Sequence, residues 1–141
     1  MQLDTRLARL LHVLIHMHLR EGTTTSDTIA QMLHTNPVIV RRTMAAIRDA
    51  GYVSSTGGPG GGWKLERALS DITVRDIHLA ISRTTLFAVG PTQDNPHCPV
   101  EAAVNVHLCA ALEAAEEAFL QQTGARRLSE IAQDAMGRSK K

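Results

Sequence analysis

Cysteine is scarce in this 141-residue chain: Cys98 and Cys109 are the only two. Two cysteines cannot build the disulfide framework that holds small secreted domains together. Long hydrophobic runs are also missing. The longest near the start, Leu10 to Leu19, is broken by His12, His16 and His18, so it cannot cross a bilayer. No secretory hydrophobic segment opens the sequence, and the expected compartment is the cytoplasm. Aromatics number four (two Phe, one Trp, one Tyr), and neither sign of charge dominates: Lys+Arg 15 against Asp+Glu 14 leaves +1. A uniformly basic, histone-like binder is thereby excluded, although a local basic face is not. No nucleophile–base constellation or paired-carboxylate spacing stands out, so an enzyme is not expected.

What is present is ordinary globular material. Hydrophobic residues at 43% and charged residues at 21% exclude wholesale disorder. The length suits one domain with an appended arm and is too short for a two-lobed enzyme. The charge is split along the chain. Residues 1–67 hold eight Lys/Arg against five Asp/Glu, a surplus of +3, whereas residues 68–141 hold seven against nine, or −2. An anionic partner is therefore expected at the first half.

Leu3, Leu7, Leu10, Leu11, Leu14 and His18 recur at helical spacing and predict an amphipathic helix over 3–20, ended by Glu21 and Gly22. Thr23, Thr24 and Thr25 offer N-caps for a short second helix through Ile29 and Leu33. A turn at His34–Asn36 follows. Asn36 then Pro37 is a strong helix start, because the amide caps free N–H groups while proline needs none. This third helix should run to Ala50, with Gly51 after its end. Tyr52–Ser55 and Trp63–Leu65 read as strands around a Gly/Pro-rich loop, Thr56 to Gly62, that no helix tolerates. Thr73 and Asp76 resemble a capping box. A linker spans 88–97, an alanine-rich helix runs from Pro99 to near Gly124, and a last short helix covers Leu128 to Met136.

The expected fold is mainly α: a winged helix-turn-helix with a small two-stranded wing and a long C-terminal helix. Its division is 1–83 for the winged helix, 84–98 for a linker or sensor loop, and 99–141 for the long and terminal helices. In such a unit the third helix is sized for a DNA major groove and the wing reaches the backbone or minor groove. Val40, Met44 and Ile47 share one face of that helix and should pack inward, which turns Asn36, Val38, Arg41, Arg42 and Ala45 outward. Guanidinium forks suit guanine edges or phosphates, and the small apolar groups suit a thymine methyl. Wing glycines let backbone N–H groups approach phosphates closely. The expected DNA-contacting set is Thr25, Asn36, Val38, Arg41, Arg42, Ala45, Arg48, Gly58, Gly60, Gly61, Trp63 and Lys64.

The run Asn36 to Arg42, then Ala50–Val53, Gly58–Leu65, Ile72–Val74 and His97-Cys98-Pro99 resembles the Rrf2 (Rrf-two) family of small dimeric bacterial transcription regulators. The glycine-rich wing followed by aromatic-x-Leu is the most specific part. The resemblance spans essentially the whole chain and implies a homodimer on a two-fold duplex DNA operator. Its dimerisation helix would be about 99–122, with Val100, Val104, Leu108, Ala111, Leu112, Ala115 and Phe119 as contact residues. Two departures matter. Many members carry Arg just before the wing, where Gly57 stands here, and iron–sulfur members carry three close cysteines. Here Val104 and Ala110 stand where the second and third would fall, so the usual cluster is not expected and no cofactor is assigned.

Cys98 precedes the helix that Pro99 starts, and the field at a helix N-terminus favours an anion, which makes Cys98 a candidate redox sensor. The competing reading is a small buried hydrophobe. Cys109 lies eleven residues on, roughly 16 Å along an ideal helix, beyond the about 7 Å that a disulfide spans. His97, Cys98, His107 and Cys109 are weak candidates for a metal with mixed ligands, and His12 with His16 is read as a solvated pair. The expected function is a DNA-binding regulator, specifically a repressor, with no membrane partner. The alternatives are a winged-helix interaction module that does not touch DNA, and an iron–sulfur or metal-sensing regulator with Cys/His ligands.

Overall fold

The computed structural model describes residues 3–20, 22–81 and 86–140. Among them six α-helices and one hairpin follow in order: α1 (Arg6–Leu19), α2 (Ser26–Met32), α3 (Pro37–Asp49), β1 (Val53–Thr56), β2 (Gly62–Leu65), α4 (Val74–Ile81), α5 (Pro99–Gly124) and α6 (Leu128–Arg138). A 3-10 turn at Leu69–Asp71, not expected from the sequence, joins β2 to α4. Residues up to Ile81 together with those from Gly124 onward form one compact unit, and the stretch ending at Thr123 forms a second. The boundary expected at 83–84 and the expected stop at Glu21 lie outside the described residues.

In the first unit, local chemistry sets the helix ends. Asp4 accepts hydrogen bonds from the Arg6 guanidinium and from its amide, which holds the Asp4 carboxyl down at about 2. Thr25 caps α2 by accepting from the Thr28 amide at 3.1 Å. Asn36 caps α3 by accepting from the amides of Val38 and Ile39, both at 3.1 Å, with Pro37 at the first helical position. Between α2 and α3, His34 adopts φ 51°, a left-handed conformation that makes the turn tight. Thr73 and Asp76 form the expected reciprocal box at the start of α4: the Thr73 amide donates to Asp76, and the Asp76 amide to Thr73.

The core sits where these helices meet. Leu10, Val13, Leu14 and Met17 of α1 pack with Ile29 of α2, Val40, Met44 and Ile47 of α3, and Ile77 of α4. Burying each large aliphatic side chain stabilises the unit by roughly 1.5–3 kcal/mol before the entropy of ordering is set against it. The hairpin pairs Val53 with Leu65 and Thr56 with Gly62. The terminal helix, expected to belong with the long helix over 99–141, instead contributes Leu128 and Ala132 to this core. Its lead-in is held by backbone: the Leu128 amide donates to Ile72 at 2.9 Å, and the Val74 amide to Arg126 at 3.0 Å. The Arg127 guanidinium also donates to the Ser70 carbonyl.

The second unit contains residues 86–98 and most of α5. Asn105 both accepts from the Thr92 amide and donates to the Thr92 carbonyl, and Glu101 accepts from the Asn95 amide. The Ala102 amide donates to the Cys98 carbonyl, so Cys98 sits at the first turn of α5. No residue of α5 is buried.

Candidate nucleic-acid interface

The outward surface of α3 has two ends of different character. Opposite the buried stripe of Val40, Met44 and Ile47 lie Val38 and Arg42, flanked by Arg41 and Ile39. Val38 is 57% and Ile39 41% exposed, which places branched apolar groups at the surface beside two guanidinium groups. Among the described residues neither Arg41 nor Arg42 is held in an ion pair. Guanidinium donors not spent on an ion pair suit base edges and phosphate. At the C-terminal end of α3 the character changes: Arg48 reaches Asp49 at 3.4 Å, so its charge is partly answered within the protein. The N-terminal half of α3 is therefore the end suited to base edges and phosphates, as in helix-turn-helix docking.

Several expected contact residues take roles that limit what they can touch. The Asn36 carboxamide oxygen is committed to the α3 cap, which leaves its NH2 group to face a ligand. The Thr25 hydroxyl caps α2 and also hydrogen-bonds the Thr28 hydroxyl at 2.9 Å. Ala45 is half-buried. Trp63 requires a correction: counted with the DNA-contacting set, it is 4% exposed and belongs to the core. Its indole N–H donates to Ser26 at 2.9 Å, so both the ring and its polar edge are used internally. Lys64, the next residue, alternates to the exposed side of β2, as strand geometry requires.

The wing is pinned rather than loose. Thr24 and Trp63 exchange backbone hydrogen bonds at 2.9 and 2.8 Å, adding a third chain segment to the hairpin. The Thr23 hydroxyl donates to the Gly60 carbonyl at 3.3 Å. Close approach explains the glycines at the base. A Cβ on Gly62 would lie 2.8 Å from the Thr24 carbonyl oxygen, and one on Gly61 would lie 2.5 Å from that of Thr56. Gly58 and Gly60 stay exposed at the tip. At the hairpin's other end Arg67 stacks 4.8 Å above the Tyr52 ring, and Ser54 donates to Glu66. The anchoring by Thr23 and Thr24 has one signal in the sequence, a run of three β-branched residues suited to an extended segment.

The remaining expected residues lie in the second unit. Val100 and Val104 are exposed, Ala111 and Ala115 likewise, while Leu108, Leu112 and Phe119 are half-buried. Cys98 and Cys109 are free thiols, both half-buried, and His97 and His107 are exposed.

Residues 3–134 match the Rrf2 family, described as iron-dependent transcriptional regulators. YwnA of Bacillus subtilis (strain 168), assigned as an HTH-type transcriptional regulator, is 30% identical over 131 residues, covering 92% of this chain and 96% of its own. A solved regulator structure from Lactobacillus plantarum superposes with a TM-score of 0.79 at 24% identity, over 94% of this chain and 91% of that one. The IscR structure of T. potens superposes at 0.67 and 21% identity, over 96% and 88%. These two structures bear on the fold alone. Iron, named in the family description, does not fit the donor set that one copy presents. Its two thiols are eleven residues apart along one helical stretch, roughly 16 Å, and among the described residues no three His, Cys, Asp or Glu side chains are placed to share an ion. The family itself is carried by the capped recognition helix, the pinned glycine wing and a match over nearly the whole sequence: the chain belongs to the Rrf2 family of DNA-binding transcriptional regulators.

Proposed function

We propose that the chain acts in the cytoplasm as a homodimeric repressor that occupies a two-fold operator, one α3 entering the major groove of each half-site. The observation that carries the dimer is the state of α5. It has 26 residues, about 39 Å of helix, and none of them is buried, while Val100, Val104 and Val106 are 70%, 48% and 72% exposed. Apolar surface along a helix of that length calls for a partner, and a second copy of the same helix supplies one with two-fold symmetry. That symmetry would set two recognition helices about 34 Å apart, one turn of duplex. Repression then needs only occupancy.

Sedimentation equilibrium of the native chain, with and without a palindromic duplex selected from random DNA, tests this. The expected species are a dimer in the absence of DNA and two chains per duplex in its presence. A monomer at micromolar concentration that binds single half-sites with undiminished affinity would contradict the reading.

Oxidation of Cys98, at the first turn of α5, is the proposed input signal, and no resident cofactor is required. The Cys98→Ser protein should bind the operator as the reduced protein does and ignore peroxide in gel-shift titration. An unchanged peroxide response in that variant removes the thiol from the account. Metal analysis of natively purified protein checks the cofactor reading.

A further inference from the structure

The second unit contains a cleft that shares only Leu112 with the expected dimer contacts of α5. One wall is a stripe of α5 at helical spacing, Cys109, Leu112, Glu113 and Glu116; the other is the segment bearing Leu86, Phe87 and Val89. The cleft is open to solvent on one side, and its volume is about 170 Å3. A dry cavity of about 150 Å3 accepts a benzene ring, so this one has room for a single six-membered ring or a branched alkyl group. Its lining is mostly apolar, and Glu113 and Glu116 on the α5 wall are its charged lining residues.

Charge decides what kind of apolar molecule fits. Residues 86–123 contain five carboxylates, Asp94, Glu101, Glu113, Glu116 and Glu117, and no Lys or Arg at all. Among the described residues neither Glu113 nor Glu116 is held in an ion pair. These two side chains lie three residues apart, side by side on one face of α5, and both are exposed at the cleft mouth. A neutral ring would bury its surface there and leave both carboxylates unanswered. An anion would be repelled. A cation whose apolar part enters the cleft satisfies both features, because its charge stays at the rim against two acidic groups while its hydrocarbon leaves water.

We propose that this cleft binds small amphipathic ammonium compounds, one aromatic or branched alkyl group joined to a positively charged nitrogen. Their binding is the direct content of the proposal. Its consequence as an effector site, coupling the cation to operator affinity, rests on the DNA-binding function described above.

The test is calorimetric titration of DNA-free, full-length protein with benzyltrimethylammonium, its neutral carbon isostere neopentylbenzene, and benzenesulfonate. The cation should bind with one site per chain and at least about tenfold more tightly than the neutral isostere, and the sulfonate should not bind. Glu113→Gln with Glu116→Gln should erase the preference for the cation while leaving the circular dichroism spectrum intact, since both groups are exposed and the change is isosteric. In the Cys98→Ser background, the cation should slow alkylation of Cys109 by iodoacetamide several-fold, which reports occupancy of this cleft and no other. Equal affinity for cation and isostere, an unchanged cation affinity in the double Gln variant, or unprotected Cys109 at saturation each overturns the proposal. Gel shifts with and without the cation are run separately. Cation binding in a protein that shows no operator binding would count against the regulator function and leave the cleft assignment standing.

Discussion

The two units of this chain are built on opposite terms. In the first, every helix turns an apolar stripe inward, and among the described residues all the buried hydrophobic ones lie there, from Leu10 to Ala132. Its polar work is done at element ends: caps at Thr25 and Asn36, a reciprocal box at Thr73 and Asp76, and backbone pairing of Thr24 with Trp63. In the second, no residue of α5 is fully buried and the segment 86–123 carries no Lys or Arg. A unit whose core is internal can present a charged helix to DNA without rearranging. The near-zero total charge hides this division, because the basic surplus belongs to the half that contains α3 and the acidic surplus to the half that contains α5.

The sharpest way to test the contrast is to remove a large side chain from each unit. Trp63→Ala empties a site that is 4% exposed and strands Ser26, so a loss of about 3–5 kcal/mol in thermal or urea unfolding is expected. Val104→Ala removes a side chain that is 48% exposed within one copy. Its effect should be small in dilute protein and grow with protein concentration, as required when a second copy supplies the burial. A concentration-independent loss for Val104→Ala as large as that for Trp63→Ala would erase the distinction between the units.

A smaller effect is expected at the α3 cap. Asn36→Ala strips the acceptor from the amides of Val38 and Ile39 and should cost about 1 kcal/mol. Weaker operator binding should accompany it, because the cap fixes the helix end that meets DNA. Asn36→Asp should retain the stability and still lose affinity, since its added negative charge would face phosphate.

The smallest effect concerns pH. Burial, reinforced by the adjacent His12 and then Arg20, lowers the His16 pKa below its usual value near 6.5. Protonation of His16 is thus harder in the folded protein than in the unfolded chain. The resulting stability is fully present above about pH 6.5 and is lost as pH falls below it. His16→Gln should flatten the melting temperature between pH 7 and pH 5, and an undiminished slope in that variant would assign the acid sensitivity elsewhere.

How much of this was legible in the sequence follows from how local each cause is. Asn36-Pro37 dictates a helix start through its own side chain and ring, and the observed α3 begins there. The buried stripe of Val40, Met44 and Ile47 follows from helical periodicity alone. The place of Trp63 is not legible locally, because its environment is set by Ser26 and Thr24, far away in the chain, and a tryptophan beside a glycine wing looks the same whether it faces DNA or the core. The return of α6 to the first unit was equally hidden. It depends on Leu128 finding Ile72 and on Arg127 finding Ser70, pairings that no periodicity encodes. The cleft beside Glu113 and Glu116 needs the segment at Leu86 to fold over α5, again a non-local event.

The central claim is that the exposed N-terminal half of α3 reads DNA while a separate surface holds the dimer. Sedimentation velocity of Arg41→Ala/Arg42→Ala protein, alone and with labelled operator duplex, tests it most directly. The variant should remain dimeric and keep its melting temperature. It should also lose operator affinity by about 2–6 kcal/mol for the two contacts together, with a shallower salt dependence than the parent. A variant that binds the operator as tightly as the parent, with the same salt slope, would contradict the account.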